Sequence, residues 1–299
     1  MEQPNPIVNA FAEDAPTDGE DLQLVERARA GSREALGEIV ARHQRWIYNV
    51  VLRMVYFPQD AEDVTQEILI KICTKLSTFE GRSSFRTWLY RIALNHVLSM
   101  KRRRGESPEL TFTEYGRGLD NTPDADLPDA KTLPLDTQVI VDEARIGCTS
   151  GMLLCLDREQ RLVYVLGAIF GVIDKTGAEL LEITPTNFRQ KLARARRDLH
   201  QFMNGQCGLI NPANPCRCAK KTRGFMNAGY VDPNKLLFAG SRVQAVRDVA
   251  AERSEAIDAL DAAYAGIHRD HPFQRSPDFR AALHELLSGE DLKRTLDLN

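Results

Sequence analysis

Two stretches of this chain combine side chains that can read or neutralise nucleic acid. In DKTGAELLEITPTNFRQKLARARRDLHQF, Phe188, Leu192, Ala195 and Leu199 recur at helical spacing and predict one buried stripe. The other faces carry Thr186, Asn187, Arg189, Gln190, Lys191, Arg194 and Arg197. Asn, Gln and Arg are the side chains that hydrogen-bond base edges in the major groove. A short helix before this one, with a tight connection at Glu182 to Thr184, predicts a helix-turn-helix. Thr184-Pro185 supplies a cap and a preset first turn. Glu182 stands where a left-handed residue is expected, at a cost of ~1 to 2 kcal/mol for a residue with a Cβ. An ordinary amphipathic helix with a solvated basic face is the alternative, and the preceding helix and turn favour base reading.

The second stretch, GRSSFRTWLYRIALNHVLSMKRRR, holds Arg82, Arg86, Arg91 and Lys101 to Arg104 with Phe85, Trp88 and Tyr90 interleaved. The cations can neutralise phosphates and the rings can stack on unpaired bases. Core packing of Trp88, Leu89 and Ile92 is the competing reading. A third group is sulfur. Cys207, Cys216 and Cys218 lie in the proline-rich CGLINPANPCRCAKK, where thiolates around zinc would supply folding energy that few apolar residues can. Cys148 is the first choice for a fourth ligand and Cys155, among leucines, the second. The spacing is not a CxxC pair, and inert thiols or a redox pair are the rivals.

The elements that must position these groups read as helices throughout, so the expected fold class is all-α. Helices are predicted at 22–30, 33–55, 60–78 and 85–103, the last capped by Ser84. Residues 105–138, rich in Pro, Asp, Gly and Thr, read as an acidic linker without regular structure. Helical pattern resumes at Val139 and runs to Met203, with Asp157 and Gln160 spaced as a capping box. Prolines exclude regular helix from the cysteine segment, and further helices are predicted at 242–267 and 277–287, the second opening at Ser276-Pro277. The expected divisions are a disordered acidic tail (1–20), a first helical domain (21–104), the linker (105–138), the helix-turn-helix domain (139–204) and an extension (205–299).

The chain has 299 residues, 43% of them hydrophobic and 27% charged, which is an ordinary globular composition. Its net charge of −3 averages over segments of opposite sign, because residues 81–105 hold basic groups and no acidic ones. No apolar run approaches the ~20 residues of a membrane span, and the acidic N-terminus lacks the features of a secretory signal; a cytoplasmic protein without a membrane contact is expected. No GxxxxGK, GxSxG or HExxH motif is present, so nothing points to an enzyme.

With these motifs in view, the chain resembles the extracytoplasmic-function (ECF) group of RNA polymerase sigma factors. DLQLVERARAGSREALGEIVARH, DAEDVTQEILIKI and FEGRSSFRTWLYRIALNHVLSMKRRR are similar to successive conserved regions of that group, and LDREQRLVYVLGAIFG with the helix-turn-helix is similar to its second DNA-binding domain. The likeness covers about residues 21 to 204 and departs at Cys73, Gly177 and Glu182.

The resemblance implies a protein that binds core RNA polymerase and promoter DNA, helps open the duplex, and requires no cofactor. It implies that Asp60, Glu62, Asp63, Gln66 and Glu67 dock on the polymerase. It assigns the −10 element to Arg82, Ser83, Phe85, Arg86, Trp88, Arg91, Asn95, Lys101 and Arg102. It assigns the −35 element to Thr186, Asn187, Arg189, Gln190, Lys191 and Arg194. The linker would thread the RNA path, with an inert tether as the alternative. A stand-alone repressor or activator is the rival of another class. The extension adds a third reading, an anti-sigma or regulatory contact, or a structural zinc site at Cys148, Cys207, Cys216 and Cys218.

Overall fold

A computed structural model describes residues 18–107, 110–128, 133, 137–238 and 276–280. In chain order the helices are α1 (Asp18–Arg29), α2 (Arg33–Val55), α3 (Pro58–Lys75), α4 (Phe85–Ser99), α5 (Phe112–Asn121), α6 (Thr137–Leu153), α7 (Arg158–Tyr164), α8 (Asp174–Leu181), α9 (Pro185–Gln206) and α10 (Cys218–Asn227). A short 3₁₀ turn, Leu76–Thr78, follows α3, and a π turn, Val165–Ile169, continues α7. Among the described residues there is no strand, only one isolated bridge between Cys207 and Cys216, so the fold is all-α as expected. No helix among them is long and apolar enough to cross a membrane.

The chain packs as two compact units. One is built from the stretch through Arg103 with Gly171–Arg189 and the described residues 276–280; the other from Arg104–Phe170 and the described residues from Gln190 onward.

In the first unit α2 is the central element. Leu36, Ile39, Val40, Ile47, Val50, Val51 and Met54 repeat at helical spacing and are buried, each apolar side chain stabilising by ~1.5 to 3 kcal/mol when fully removed from water. Ser32 starts this helix by accepting from the Ala35 amide, and Ser84 starts α4 by accepting from the Thr87 amide. Helix α4 ends at Ser99 rather than at residue 103, because Met100 turns extended; Lys101 to Arg104 therefore leave the helical face. The Arg29 guanidinium holds the loop before α4, donating to the carbonyls of Leu76, Ser77 and Phe79.

In the second unit the structure corrects the linker. Thr111 caps α5 by accepting from the Glu114 amide, the Phe112 ring packs on Phe202 at 5.1 Å, and the Tyr115 hydroxyl donates to the Cys148 carbonyl. A Cβ on Gly151 would come within 2.6 Å of the Tyr115 hydroxyl, so the small residue admits the ring. The expectation of irregular chain failed because α5 is short, carries two glycines and shows a single apolar face. Ahead of it Glu106 is sealed between two cations, receiving Arg158 at 2.7 Å and Arg161 at 3.0 Å. Arg161 also donates to the carbonyls of Leu153, Leu154 and Leu156.

The extension joins the same unit. Helix α10, which begins at the last cysteine of a segment expected to hold no helix, packs with Val231, Phe225 and Met226 against Ile140 and Ala144 of α6. Glu143, buried on α6, accepts from the Leu237 and Phe238 amides and ties the chain down again. The helix expected at 242–267 lies outside the described residues, as does most of that expected at 277–287; within it, Phe279 is buried and reaches Tyr48.

Glu106→Ala leaves Arg161 buried without its counter-charge and is expected to destabilise the second unit by about 3 kcal/mol, since breaking a buried pair from one side is far costlier than losing an exposed one. Urea unfolding followed by circular dichroism measures it, and a loss below 1 kcal/mol would mean that the pair is not what seals this segment.

Candidate nucleic-acid interface

The basic aromatic stretch divides into a buried half and an exposed half. Phe85 is fully buried, with Phe79 at 5.3 Å, Trp88 at 5.7 Å and His43 at 6.1 Å between ring centroids. Tyr90 is buried too, its hydroxyl 3.1 Å from His43 Nδ1 and its ring 4.0 Å from Trp46. Arg86 is mostly covered and bridges to Asp21 at 3.2 Å.

That carboxylate has no exposure and also meets Arg42 at 3.3 Å and His43 at 3.6 Å. Burial acts to raise the Asp21 carboxyl, but hydrogen bonding and charge from His43 and Arg86 hold it below its ordinary value. Asp18 accepts from the Phe85 and Arg86 amides at the start of α4, where a carboxylate favours the helix dipole. Two of the residues expected at the −10 site therefore lie inward in the free protein. Phe85 has no free ring face for a base, and the Arg86 guanidinium is committed to α1. Both residues position α4.

The exposed half comprises Arg82, Asn95, Lys101 and Arg102, with Ser83 and Trp88 half-buried beside them. Arg82 touches only an exposed partner, Glu80, at 3.0 Å. Arg91 is half-buried on α4 and reaches α8, donating to the Glu179 carbonyl at 3.0 Å and lying 3.8 Å from the Glu179 and Glu182 carboxylates.

On α3, Asp63 and Glu67 are exposed and Glu62 and Gln66 half-buried, whereas Asp60 is buried and not available to a partner surface. Glu67 meets Arg103 at 2.7 Å and His96 at 3.0 Å; burial acts to raise its carboxyl, but hydrogen bonding and charge from Arg103, then His96, hold it below the ordinary range. The Glu62 carboxyl is pushed up by burial and by Asp63.

The helix-turn-helix forms from α8 and α9. Glu182 adopts the left-handed conformation, φ 54°, ψ 39°, while the Ile183 amide closes back on the Ala178 carbonyl. The Thr184 hydroxyl accepts from the Asn187 amide and caps α9. Gly177 explains one departure from the family pattern: a Cβ there would stand 2.4 Å from the Phe188 ring, which lies directly on the α8 backbone. Phe188, Ala195 and Leu199 are fully buried as expected, and Leu192 only half so. Thr186, Arg189, Gln190 and Arg194 face solvent, with Asn187 and Lys191 half-exposed. Arg189 rests on Asp174 and on the Thr186 hydroxyl, and Lys191 on Glu159 at 2.5 Å. Such exposed pairs are worth ~0 to 1 kcal/mol and yield readily to phosphate or a base.

Residues 39–106, from α2 past the end of α4, match the family model for sigma-70 region 2. The chain is 41% identical over 92 residues to the RNA polymerase sigma-H factor of Pseudomonas aeruginosa, covering 31% of this chain and 48% of that protein. It is 28% identical over 181 residues to the ECF RNA polymerase sigma-E factor of Haemophilus influenzae, covering 59% of this chain and 91% of that one. Over these spans the chain is similar to RNA polymerase sigma factors, one of them of the ECF type. With the first of these relatives the alignment spans about half of that protein's length. A solved structure of CnrH in complex with the cytosolic domain of CnrY shares 24% identity at a TM-score of 0.43, covering 62% of this chain and 97% of that one.

The cysteine segment follows α9. Cys207 and Cys216 are backbone-bridged, and a Cβ on Gly208 would stand 2.1 Å from the Cys216 carbonyl oxygen. Burial pushes the Cys218 thiol up to about 12, and Cys207 and Cys216 add to it; burial followed by Cys218 raises that of Cys148. Cys148, Cys207, Cys216 and Cys218 lie near enough to raise one another's thiols. Among the described residues no group of three or more His, Cys, Asp or Glu side chains is arranged to hold a metal.

Two outcomes follow. Phe85→Ala removes a fully buried ring and is expected to cost about 3 to 5 kcal/mol in stability, read as a lowered thermal midpoint, whereas a role confined to base stacking would leave the midpoint unchanged. Cys218, whose thiol burial pushes up to about 12, should be alkylated at pH 8 far more slowly than in the unfolded chain; equal rates measured by mass spectrometry would contradict its placement.

Proposed function

We propose that the chain is a sigma factor: it binds core RNA polymerase, recognises the −35 and −10 promoter elements and promotes strand opening, with no covalent step of its own. The observation that carries this reading is the match of residues 39–106 to sigma-70 region 2, in one chain with a capped α9 whose Thr186, Arg189, Gln190 and Arg194 are exposed.

In this reading, residues 21–104 form the polymerase-binding and −10 domain and residues 139–204 the −35 domain. The polymerase contacts α3 through Glu62, Asp63, Gln66 and Glu67. Asp60 supports that helix from within. The opened −10 strand takes phosphate contacts from Arg82, Lys101 and Arg102, with Asn95 and the half-buried Trp88 beside the bases. Phe85, Arg86 and, through α8, Arg91 hold this surface in shape. Helix α9 enters the major groove at the −35 element, with Asn187 and Lys191 flanking the exposed side chains. The acidic linker follows the RNA path, which requires it to leave the surface it occupies.

Run-off transcription with core polymerase tests the whole reading: promoter-dependent transcript that requires this chain supports it, and tight DNA binding without any effect on core polymerase points to a stand-alone regulator. Within it, Arg189→Ala or Gln190→Ala is expected to weaken −35 recognition by ~1 to 3 kcal/mol, the worth of one good base contact. Unchanged sequence preference in both variants, measured by competition footprinting, removes them from the interface.

A further inference from the structure

Beyond the helices of the sigma-like region, α10 holds a piece of the linker against itself. Residues 122–126 lie along α10, and the contact uses backbone as well as charge. The Ala125 amide donates to the Lys220 carbonyl at 3.0 Å. Lys221, nearly buried, donates to the Thr122 carbonyl at 2.5 Å and meets the Asp124 carboxylate at 3.1 Å. Lys220 pairs with the Asp126 carboxylate, and Arg223 donates to the Asp126 carbonyl at 3.2 Å.

Shape supports the same contact. Gly224, in the interior of α10, is where alanine would be the better helix former. A Cβ there would stand 2.4 Å from Thr122 Cγ2 and 3.2 Å from the Pro123 carbonyl oxygen, so the missing side chain is the space in which the linker lies. The helix is fixed from behind by its packing on Ile140 and Ala144, so the linker rests on a rigid surface.

We propose that α10 is a built-in latch for the acidic linker: it occupies residues 122–126 in the free protein and must release them before the linker can enter the polymerase. The inference rests on the sigma-factor reading for its consequence, but not for the contact itself. The same amide, carbonyls and carboxylates that meet α10 cannot also line a channel in another protein, so latch and polymerase compete for one segment. The competition is reversible because the outer pairs are exposed. Salt screens such pairs and weakens the latch, while the buried Lys221 contact gives it register. The extension thereby lowers the rate at which the chain loads onto polymerase.

The test uses the full chain and the variant Gly224→Ala, which adds one methyl group at the contact and strengthens the helix itself, together with Lys220→Glu. Hydrogen exchange at the Ala125 amide should quicken at least tenfold in both, with circular dichroism unchanged. In Lys220→Glu, adding Asp126→Lys should restore slow exchange. Association with core polymerase, followed by fluorescence, should quicken several-fold in Gly224→Ala.

Unchanged Ala125 exchange in a folded Gly224→Ala chain overturns the latch. Faster exchange with unchanged association overturns its control of loading. If even the wild-type chain neither binds core polymerase nor supports transcription, the sigma-factor reading fails and the loading claim falls with it, while exchange still reports on the contact separately.

Discussion

A carboxylate taken out of water needs cations around it, and the first unit is organised about one such group. Asp21 of α1 has no solvent exposure and collects Arg42 and His43 from α2 and Arg86 from α4. A charge buried in this way is tolerated only while its partners stay in place. Three helices are consequently held in one register: His43 passes the constraint on to the Tyr90 hydroxyl, and Asp18 adds a second carboxylate at the head of α4. The aromatic cluster of Phe79, Phe85 and Trp88 then packs where that register leaves room. The exposed cations Arg82, Lys101 and Arg102 flank a helix whose position is already decided from within.

The second unit repeats the solution with its own residues. Glu106 between Arg158 and Arg161 anchors the chain just before α5, and Glu143 on α6 fixes the extension through two backbone amides. Each of these acids lies in the predominantly acidic stretch 106–143, which spans the expected linker and the start of α6. Their energetic roles differ. Glu106 and Glu143 are buried and structural, whereas Asp124 and Asp126 sit at the surface in pairs that solvent and salt weaken. A segment with strong anchors at its ends and weak ties between them is suited to hold shape at the ends and change partner in the middle.

Two of the three departures from the pattern the chain resembles, Gly177 and Glu182, have local physical causes. Gly177 admits the Phe188 ring onto the α8 backbone, and Glu182 takes the left-handed conformation that closes α8. Strain from a residue with a Cβ in that conformation, ~1 to 2 kcal/mol, is offset by the hydrogen bond from Ile183 to Ala178 and by the fully buried stripe of α9.

Much of this was legible beforehand. Helical periodicity located α2 to the residue, the Ser84, Asp157 and Thr184 caps are local hydrogen bonds between near neighbours, and the helix-turn-helix follows from spacing and a Thr-Pro start. Local rules suffice there because every interacting group lies within four residues of its partner. Other assignments depend on partners far along the chain. That Phe85 and Arg86 are core and not DNA-facing is decided by Asp21, some 65 residues away, which composition cannot distinguish from a solvated acid. That α5 forms depends on Phe202 and on the room above Gly151. Spacing and residue type along the chain are enough for an all-α fold with a helix-turn-helix and a basic aromatic stretch. Which charges are buried and which rings are covered emerges from the packed helices alone, because burial is a property of the partners that close over a residue and not of the residue itself.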